Sequence, residues 1–502
     1  MYCQKFKIWK SALLVCFIFS NGFLWAQNFE EDYKPLQNYN IRYKSTHLLP
    51  SIKHSFDSLL SAFSKEEKSN KKAISDAIKT LKEAVVMNDS MQYSMCADTL
   101  TSYFNSIVNR IKLNNPELND HRITLFLNRT GIANASNYSA GVIYINLGLI
   151  TGLSTESEIA FIICHEVAHD LIGHVAMGIK KKTDLLLNPK FKKKLAKLQK
   201  QEFNSYKETI ELIKNEYAKF TEHSRENELQ ADSLGLLLYL NSNFPPYEAV
   251  NTILNLDSID NPIYEDFIDI KAFFNFPGIK FDSSLLVNTD YVDLGEGNIK
   301  NIKIEDELKT HPDCIDRGIQ LLTMLETKDT TAGLTYSNDR YLSAKNQAKF
   351  EIIEMLCRNE KYGFALYQSI QLLKQFPKNM YLKAMVVNCL FEIQEAQIKH
   401  TFSQVVDFTD KDYSSNYNNF LIFLHNLNSS KTTKFMEAYY NANFKKAPKN
   451  EFTTYVSYLV KSLEADDETN LSIPKKFKEQ FPNSIYFKKL NDRFTKKLKR
   501  KK

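Results

Sequence analysis

The sequence predicts an α+β domain followed by an all-α region made of repeated helix pairs. Two short stretches before residue 150 are rich in alternating or β-branched apolar side chains, which is typical of strands. An apolar run over residues 159–176 has the composition of a buried helix. Beyond residue 336 one helical pattern follows another, and proline-containing turns recur. The strands and the buried helix indicate a mixed domain, whereas the recurring turns indicate a helical array.

Length and composition favour a globular protein of two or three domains. The chain has 502 residues, of which 43% are hydrophobic and 25% are charged, as in ordinary soluble proteins. Its formal net charge of +6 is too small to favour binding to nucleic acid. We therefore expect no nucleic acid among its partners.

Residues 1–26 have the features of a secretory signal peptide. Three lysines in the first ten residues precede a short apolar run, and Ala26 is a small residue suited to cleavage. The run is too short and interrupted for a membrane anchor, and it continues past Cys16, which disfavours lipid attachment. No later stretch is apolar enough to span a bilayer. We expect an exported, periplasmic protein without a membrane span; a lipid-anchored or surface-attached protein is the less favoured alternative.

In the segment before the buried helix, the pattern of apolar residues changes once, from helical to strand-like. Residues 27–112 are polar and mostly helical, and we expect them to pack on the domain that follows. Residues 122–127 and 141–147 are strand candidates. The turn-rich I-A-N-A-S-N-Y-S-A-G between them suits an irregular edge strand, whose unpaired backbone groups can hold an extended peptide. A simple connection between two strands is the alternative.

The buried helix contains a metal-binding pattern, H-E-V-A-H, at His165, Glu166 and His169. A four-residue step in a helix returns to nearly the same face, so both imidazoles can meet one ion. Glu166 lies beside them, placed to take a proton from water activated by that ion. Thr155 and Glu158 form a capping box that starts this helix. Two ordinary core histidines are the alternative, but burying them without a partner is costly.

A second acidic motif, S-R-E-N-E-L-Q-A-D-S-L-G-L-L-L-Y, covers residues 224–239. Glu228 and Asp232 lie four residues apart on one helix face. Two histidines need a third protein ligand, which a carboxylate on a neighbouring helix can provide. Asp232 can orient a ligand imidazole through its other ring nitrogen. A surface acidic pair is the alternative, and the apolar residues that follow weaken it.

The three-histidine metzincin pattern does not fit this chain. H-E-x-x-H-x-x-G-x-x-H would place glycine at position 172 and histidine at position 175, where the sequence has Ile172 and Val175. Gly173 and His174 are each displaced by one position. We therefore expect His174 to pack or hydrogen-bond near the site.

Four motifs occur together over residues 113–325: N-A-S-N-Y-S-A-G-V-I-Y-I, H-E-V-A-H-D-L-I-G-H, S-R-E-N-E-L-Q-A-D and T-H-P-D-C-I-D-R-G. Their order resembles the gluzincin family of the HtpX-type heat-shock proteases and CAAX prenyl endopeptidases. The layout is similar to the exported, BepA-like branch. The resemblance implies an α+β zincin-type metallopeptidase domain over residues 113–330, with one zinc ion per chain. It implies zinc ligands at His165, His169 and Glu228, a general base at Glu166, and Asp232 behind the ligands.

The resemblance also implies a substrate-pairing edge at Asn134, Ala135 and Gly141. His311 and Arg317 fall on the downstream H-P-x-x-x-x-R motif. Either one of them stabilises the oxyanion, or His311 caps the metal and restrains activity. The alternative is an H-P turn that starts a helix, with Arg317 in a salt bridge.

The chain departs from the family pattern in two places. Asn137 stands where N-A-x-A has its second alanine, and residues 261–301 look like an insertion before the H-P motif. These departures concern the substrate edge and the openness of the cleft.

The C-terminal residues 336–502 predict an all-α tetratricopeptide-like solenoid. F-P-K-N, A-P-K-N and F-P-N recur at Pro377, Pro448 and Pro482; the last two are 34 positions apart (482 − 448), and the first two 71 (448 − 377), about twice that. A 34-residue period is typical of such helix pairs. An unspecific helical bundle is the alternative. A concave helical surface would bind a protein partner or deliver substrates.

Together these features predict an exported zinc-dependent endopeptidase that hydrolyses peptide bonds in envelope proteins, in protein quality control. Misfolded outer-membrane proteins are the substrates expected. The alternative function is that of a chaperone or assembly adaptor whose metal site is capped or vestigial.

Overall fold

The computed structural model describes ten ranges of the chain: residues 28–36, 49–90, 93–95, 98–139, 141–198, 225–259, 267–287, 314–327, 338–411 and 413–499. The predicted signal peptide, residues 1–26, lies outside them. The described helices, in chain order, are α1 (Leu49–Ala62), α2 (Lys68–Ser90), α3 (Thr99–Asn114), α4 (Leu147–Gly152), α5 (Glu156–Ile172), α6 (His174–Leu187), α7 (Pro189–Leu198), α8 (residues 225–241), α9 (Pro246–Ile259), α10 (Ile270–Phe273), α11 (Cys314–Glu326), α12 (Asp339–Arg358), α13 (Tyr362–Gln375), α14 (Met380–Ile398), α15 (Phe402–Val405), α16 (Ser415–His425), α17 (Ser429–Asn443), α18 (Glu451–Lys461), α19 (Asp467–Gln480) and α20 (Tyr486–Lys499).

The chain forms two compact units. One, here called the sheet unit, contains Leu36–Ile263 and Asp290–Met355. The other, the helical unit, contains Met1–Pro35, Tyr264–Thr289 and Leu356–Lys502. The architecture is therefore a mixed α/β region with a small sheet, followed by a largely helical C-terminal region.

A four-stranded mixed sheet lies in the sheet unit, with strands in the order β1–β2–β4–β3. The strands are β1 (Ser94–Met95), β2 (Thr124–Asn128), β3 (Ala135–Asn137) and β4 (Val142–Asn146). The central strands β2 and β4 are parallel, whereas β1 and β3 pair antiparallel with them. Both predicted strands are confirmed to within two residues, and β3 is an edge strand of these four. The two residues of β1 are too few to produce a periodic signal within a helical segment.

One hydrophobic cluster joins the N-terminal helices to the sheet. Ile52 and Phe56 of α1 and Ile74 of α2 are almost fully buried, and they belong to the same cluster as Phe126 and Tyr144 of the central strands. The rings of Phe126 and Tyr144 stack at 4.8 Å. This packing covers one face of the sheet with apolar side chains.

Helix α5 begins with the predicted capping box, in which the Thr155 hydroxyl accepts from the backbone N–H of Glu158 and the Glu158 carboxylate accepts from that of Thr155. The helix ends because Gly173 adopts a left-handed conformation (φ 82°), which glycine tolerates and other residues rarely adopt. Helix α6 then starts at His174, at an angle of 52° to α5. The apolar run expected to form one element is therefore two helices. None of the described helices is alone long and apolar enough to span a membrane, although the bent pair α5–α6 meets the length and composition criteria together.

The helical unit consists mainly of α13–α20. The recurring prolines lie where predicted, between helices: Pro377 precedes α14, Pro448 precedes α18 and Pro482 precedes α20. Residues 267–287 pack in this unit, although they were expected to belong to the metallopeptidase domain. They do so because Phe274 is fully buried against Phe423 and Phe435.

Candidate metal centre

Helix α5 carries the predicted imidazole pair. His165 and Glu166 are 7% and 8% exposed, and His169 is half-buried one turn later. The four-residue step places the two Nε2 atoms 3.0 Å apart. The rings therefore converge on one point, as the helical spacing predicts.

Helix α8 brings the third predicted ligand to the same point. Oε2 of Glu228 lies 3.4 Å from Nε2 of His165, and Oε1 lies 3.3 Å from Nε2 of His169. In a tetrahedral site with bonds of about 2.0–2.1 Å, neighbouring ligand atoms are about 3.3 Å apart. The ligand atoms of His165, His169 and Glu228 all lie within 4.8 Å of one another. Their spacing and chemistry fit one divalent metal ion.

A glycine allows the two helices to approach closely. A Cβ added at Gly235 of α8 would lie 3.1 Å from the backbone N and Cα of His165. This is tighter than ordinary van der Waals contact, so a larger side chain would push α8 away from α5. Gly235 thus lets Glu228 and Asp232 reach the imidazoles.

Asp232 lies behind the ligands and is fully buried. Its Oδ1 is 2.9 Å from Nδ1 of His165, which favours a proton on that nitrogen and leaves Nε2 free to bind a metal. Arg317 of α11 donates two hydrogen bonds to the same carboxylate, at 2.7 and 2.8 Å. Burial raises the pKa of Asp232, but the hydrogen bonds from Arg317 and the charge of the nearby His165 imidazole outweigh it, and the pKa is lowered. Asp232 is therefore held ionised.

Arg317 also lies 3.6 Å from Glu228, and it is only 4% exposed. Burial lowers its pKa, but Asp232 and Glu228 outweigh this and raise the pKa. This geometry favours the salt-bridge alternative for Arg317 over contact with a substrate oxyanion, because its guanidinium is directed at buried carboxylates. The other residue of that motif, His311, lies outside the described residues.

The electrostatics of the site favour a positive charge. Burial lowers the pKa of His165, yet the hydrogen bonds and charges of Asp232 and Glu228 outweigh burial and raise its pKa to about 10. Two carboxylates beside two imidazoles therefore stabilise a cation at this point. A divalent metal satisfies the same requirement.

His174 meets the site from the start of α6. Its Nδ1 lies 2.8 Å from Nδ1 of His169, and its Nε2 lies 3.2 Å from Oε1 of Gln230. Burial lowers the pKa of His174, which is 5% exposed. The expectation that His174 hydrogen-bonds near the site is confirmed. The sequence did not predict Gln230 as the partner of His174, although Gln230 lies only two residues after Glu228.

The predicted substrate edge lies beside α5. Asn134 directly precedes β3, Ala135 is its first residue, and Gly141 is in the turn that leads to β4. The side-chain amide of Asn137 donates to the backbone carbonyl of Glu166 at 2.8 Å. This contact joins the edge strand to the residue predicted to act as base. The departure from the family pattern at Asn137 was the only sequence signal for it.

A second contact holds the same edge to α5. The carboxylate of Asp170 accepts from the backbone N–H of Gly141 at 2.7 Å and lies 2.6 Å from Nε2 of His121. Asp170 follows His169 directly. Asp170 thus fixes the turn after β3 next to the ligands. The spacing of the motif residues did not predict this role.

Two imidazoles on one buried helix, a carboxylate from a second helix and an adjacent glutamate beside a sheet edge define the class of metallopeptidases. Residues 99–325 match the family model for Peptidase family M48. This match indicates a metalloprotease, that is, a metal-dependent peptide hydrolase. A comparison with curated proteins finds no significant match.

Proposed function

We propose that this protein is an exported zinc endopeptidase that cleaves misfolded envelope proteins, outer-membrane proteins among them. The single observation that carries the enzymatic part is the convergence of His165, His169 and Glu228: the two Nε2 atoms are 3.0 Å apart, and the two oxygens of the Glu228 carboxylate lie 3.4 Å from that of His165 and 3.3 Å from that of His169. Two neutral imidazoles and one carboxylate are a ligand set that suits zinc, and three protein ligands leave one position open.

Zinc in this position supplies Lewis acidity and makes water a nucleophile near neutral pH. The protein's own groups then move the proton. Glu166 follows His165 on α5, takes the proton from the attacking water and passes it to the leaving amine. Asp232, held by Arg317, keeps the proton of His165 on Nδ1.

The substrate is held in extended form along β3. This strand offers backbone groups at the edge of the described sheet, and such an edge can add an extended peptide as a further strand. The contacts from Asn137 to Glu166 and from Asp170 to Gly141 support this proposal, because they fix the edge at a constant distance from the base. The edge therefore presents a peptide bond to the site.

The C-terminal helices form a tetratricopeptide-like array that binds a protein partner or delivers substrates. The spacing of Pro377, Pro448 and Pro482 and the helix boundaries beside them support this part. Export to the periplasm is supported by the signal-like residues 1–26.

The test of the enzymatic part is Glu166→Gln, with Glu83→Gln as its control. Glu83 is an exposed residue on α2 that pairs with Lys79, so the control makes the same charge change away from the site. We expect Glu166→Gln to bind zinc as the wild type does and to lose about 10²–10⁴-fold in peptide hydrolysis, the usual contribution of a general base. Casein cleavage and zinc content of the purified chains measure both quantities.

Undiminished cleavage by Glu166→Gln would remove the mechanism. If this inactive variant still restored envelope integrity to cells lacking the gene, the chaperone or adaptor function would replace the endopeptidase.

A further inference from the structure

The two ligand imidazoles have different supports. His165 is backed by a buried carboxylate, that of Asp232, which two hydrogen bonds from Arg317 anchor in turn. His169 is backed by a chain of neutral groups, His174 and then Gln230. Because Gly173 breaks the apolar run, α6 turns and places the His174 ring against that of His169, with ring centroids 4.8 Å apart.

The order of donors and acceptors along this chain follows from metal binding at Nε2 of His169. A neutral imidazole carries one N–H, so a His169 that binds a metal through Nε2 carries its proton on Nδ1. Nδ1 of His174 lies 2.8 Å away and can accept that proton in a hydrogen bond. The proton of His174 then lies on Nε2, which can donate to Oε1 of Gln230 at 3.2 Å.

We propose that His174 and Gln230 are positioning residues that hold His169 in the form able to bind zinc through Nε2. The proposal rests on the proposed zinc site: it gives a role to His174, the last residue of the H-E-V-A-H-D-L-I-G-H motif, and adds Gln230. Neither residue touches the metal position itself. Both act through the ring of His169, by fixing its proton on Nδ1 and its orientation.

The difference between the groups behind His165 and His169 predicts the direction in which zinc affinity should change. A carboxylate behind a ligand imidazole increases the basicity of that ligand more than a neutral acceptor does. Gln230→Glu keeps the acceptor and adds charge, so zinc affinity should equal or exceed that of the wild type. Gln230→Leu removes the acceptor at nearly the same side-chain size, and zinc affinity should fall, by less than the roughly 10–100-fold that is typical of a direct partner of a ligand.

The experiment measures the zinc dissociation constant of the full chain by competition with a chelator. The controls are Gln320→Leu and Gln320→Glu, because Gln320 also hydrogen-bonds to α8, through Leu229 and Ser233, and contacts no ligand. We expect both controls to bind zinc as the wild type does. Wild-type affinity in Gln230→Leu, or an affinity in Gln230→Glu as low as in Gln230→Leu, would overturn the proposal. So would equal tightening by Gln320→Glu, which would reveal a general effect of charge.

A double-mutant cycle tests whether Gln230 acts through His174. His174→Phe keeps an aromatic side chain but removes both ring nitrogens and their hydrogen bonds. In this background, Gln230→Leu should have no further effect on zinc affinity. A second loss of the same size as in the wild-type background would contradict the relay. If the wild type itself bound no zinc, the proposed function would fail; if the wild type bound zinc and the Gln230 variants matched it, only this inference would fail.

Discussion

At the scale of single residues, the site depends on side chains that never reach the metal position. Asn137 is an example, because its amide donates to the backbone carbonyl of Glu166 while its oxygen accepts from the backbone N–H of Ser139 at 2.5 Å. One side chain thus shapes the turn after β3 and fixes that strand to α5. Alanine, which the family pattern has at this position, can do neither.

Asn137→Ala should therefore lower peptide hydrolysis without affecting the metal. We expect a several-fold loss in kcat/KM, unchanged zinc affinity, and a fall of about 1 kcal/mol in the free energy of unfolding, as is usual for a lost hydrogen bond. Asn137→Asp keeps the acceptor for Ser139 but opposes the Glu166 carbonyl, and it should be at least as impaired. Wild-type kcat/KM in both variants would show that the contact is incidental.

Much of the site could be predicted from the sequence, because its ligands obey a local rule. His165 and His169 are one helical turn apart, and the spacing of Glu228 and Asp232 repeats that rule on a second helix. Gln230, Asn137 and the direction of the Arg317 side chain could not be read in this way. They act through contacts between elements distant in sequence, and no periodicity reports such contacts.

At the scale of elements, the decisive feature is how closely α5 and α8 approach. Gly235 faces the backbone of His165, and because glycine has no side chain, the two helices can approach closely at this point. Sequence patterns correctly gave both helices, but a glycine within a helical pattern has several explanations. The break at Gly173 was missed for a related reason, since an apolar composition does not reveal a left-handed residue.

Gly235→Val should push the two helices apart. We expect a loss of about 1–3 kcal/mol in the free energy of unfolding, which is typical of an overpacked core, together with weaker zinc binding because the ligands lie on both helices. Gly178→Val is the matched control, since a Cβ at exposed Gly178 of α6 meets nothing within 4 Å. Chemical denaturation and chelator competition measure the two effects. Equal behaviour of the two variants would mean that the close approach has no role in the site.

At the scale of the whole molecule, neither compact unit is one continuous stretch of sequence. Residues 267–287 lie in sequence between two stretches of the sheet unit, but they belong to the helical unit, where Asn426 donates to the backbone carbonyls of Leu285 and Val287. A domain boundary predicted from composition could not show this, because the unit to which the insertion belongs depends on the residues it packs against and not on its own sequence pattern. The class of the two regions, mixed and then helical, was predictable from periodicity alone.

The central claim is that α5 and α8, separated by a long stretch of sequence, together bind one divalent metal ion. The most direct measurement is the metal content of the purified full chain after equilibration with zinc and removal of the excess. We expect one zinc per chain in the wild type and almost none in Glu228→Ala, although that variant retains both histidines. A chain that binds no zinc, or a Glu228→Ala variant that retains a full equivalent, would contradict the account.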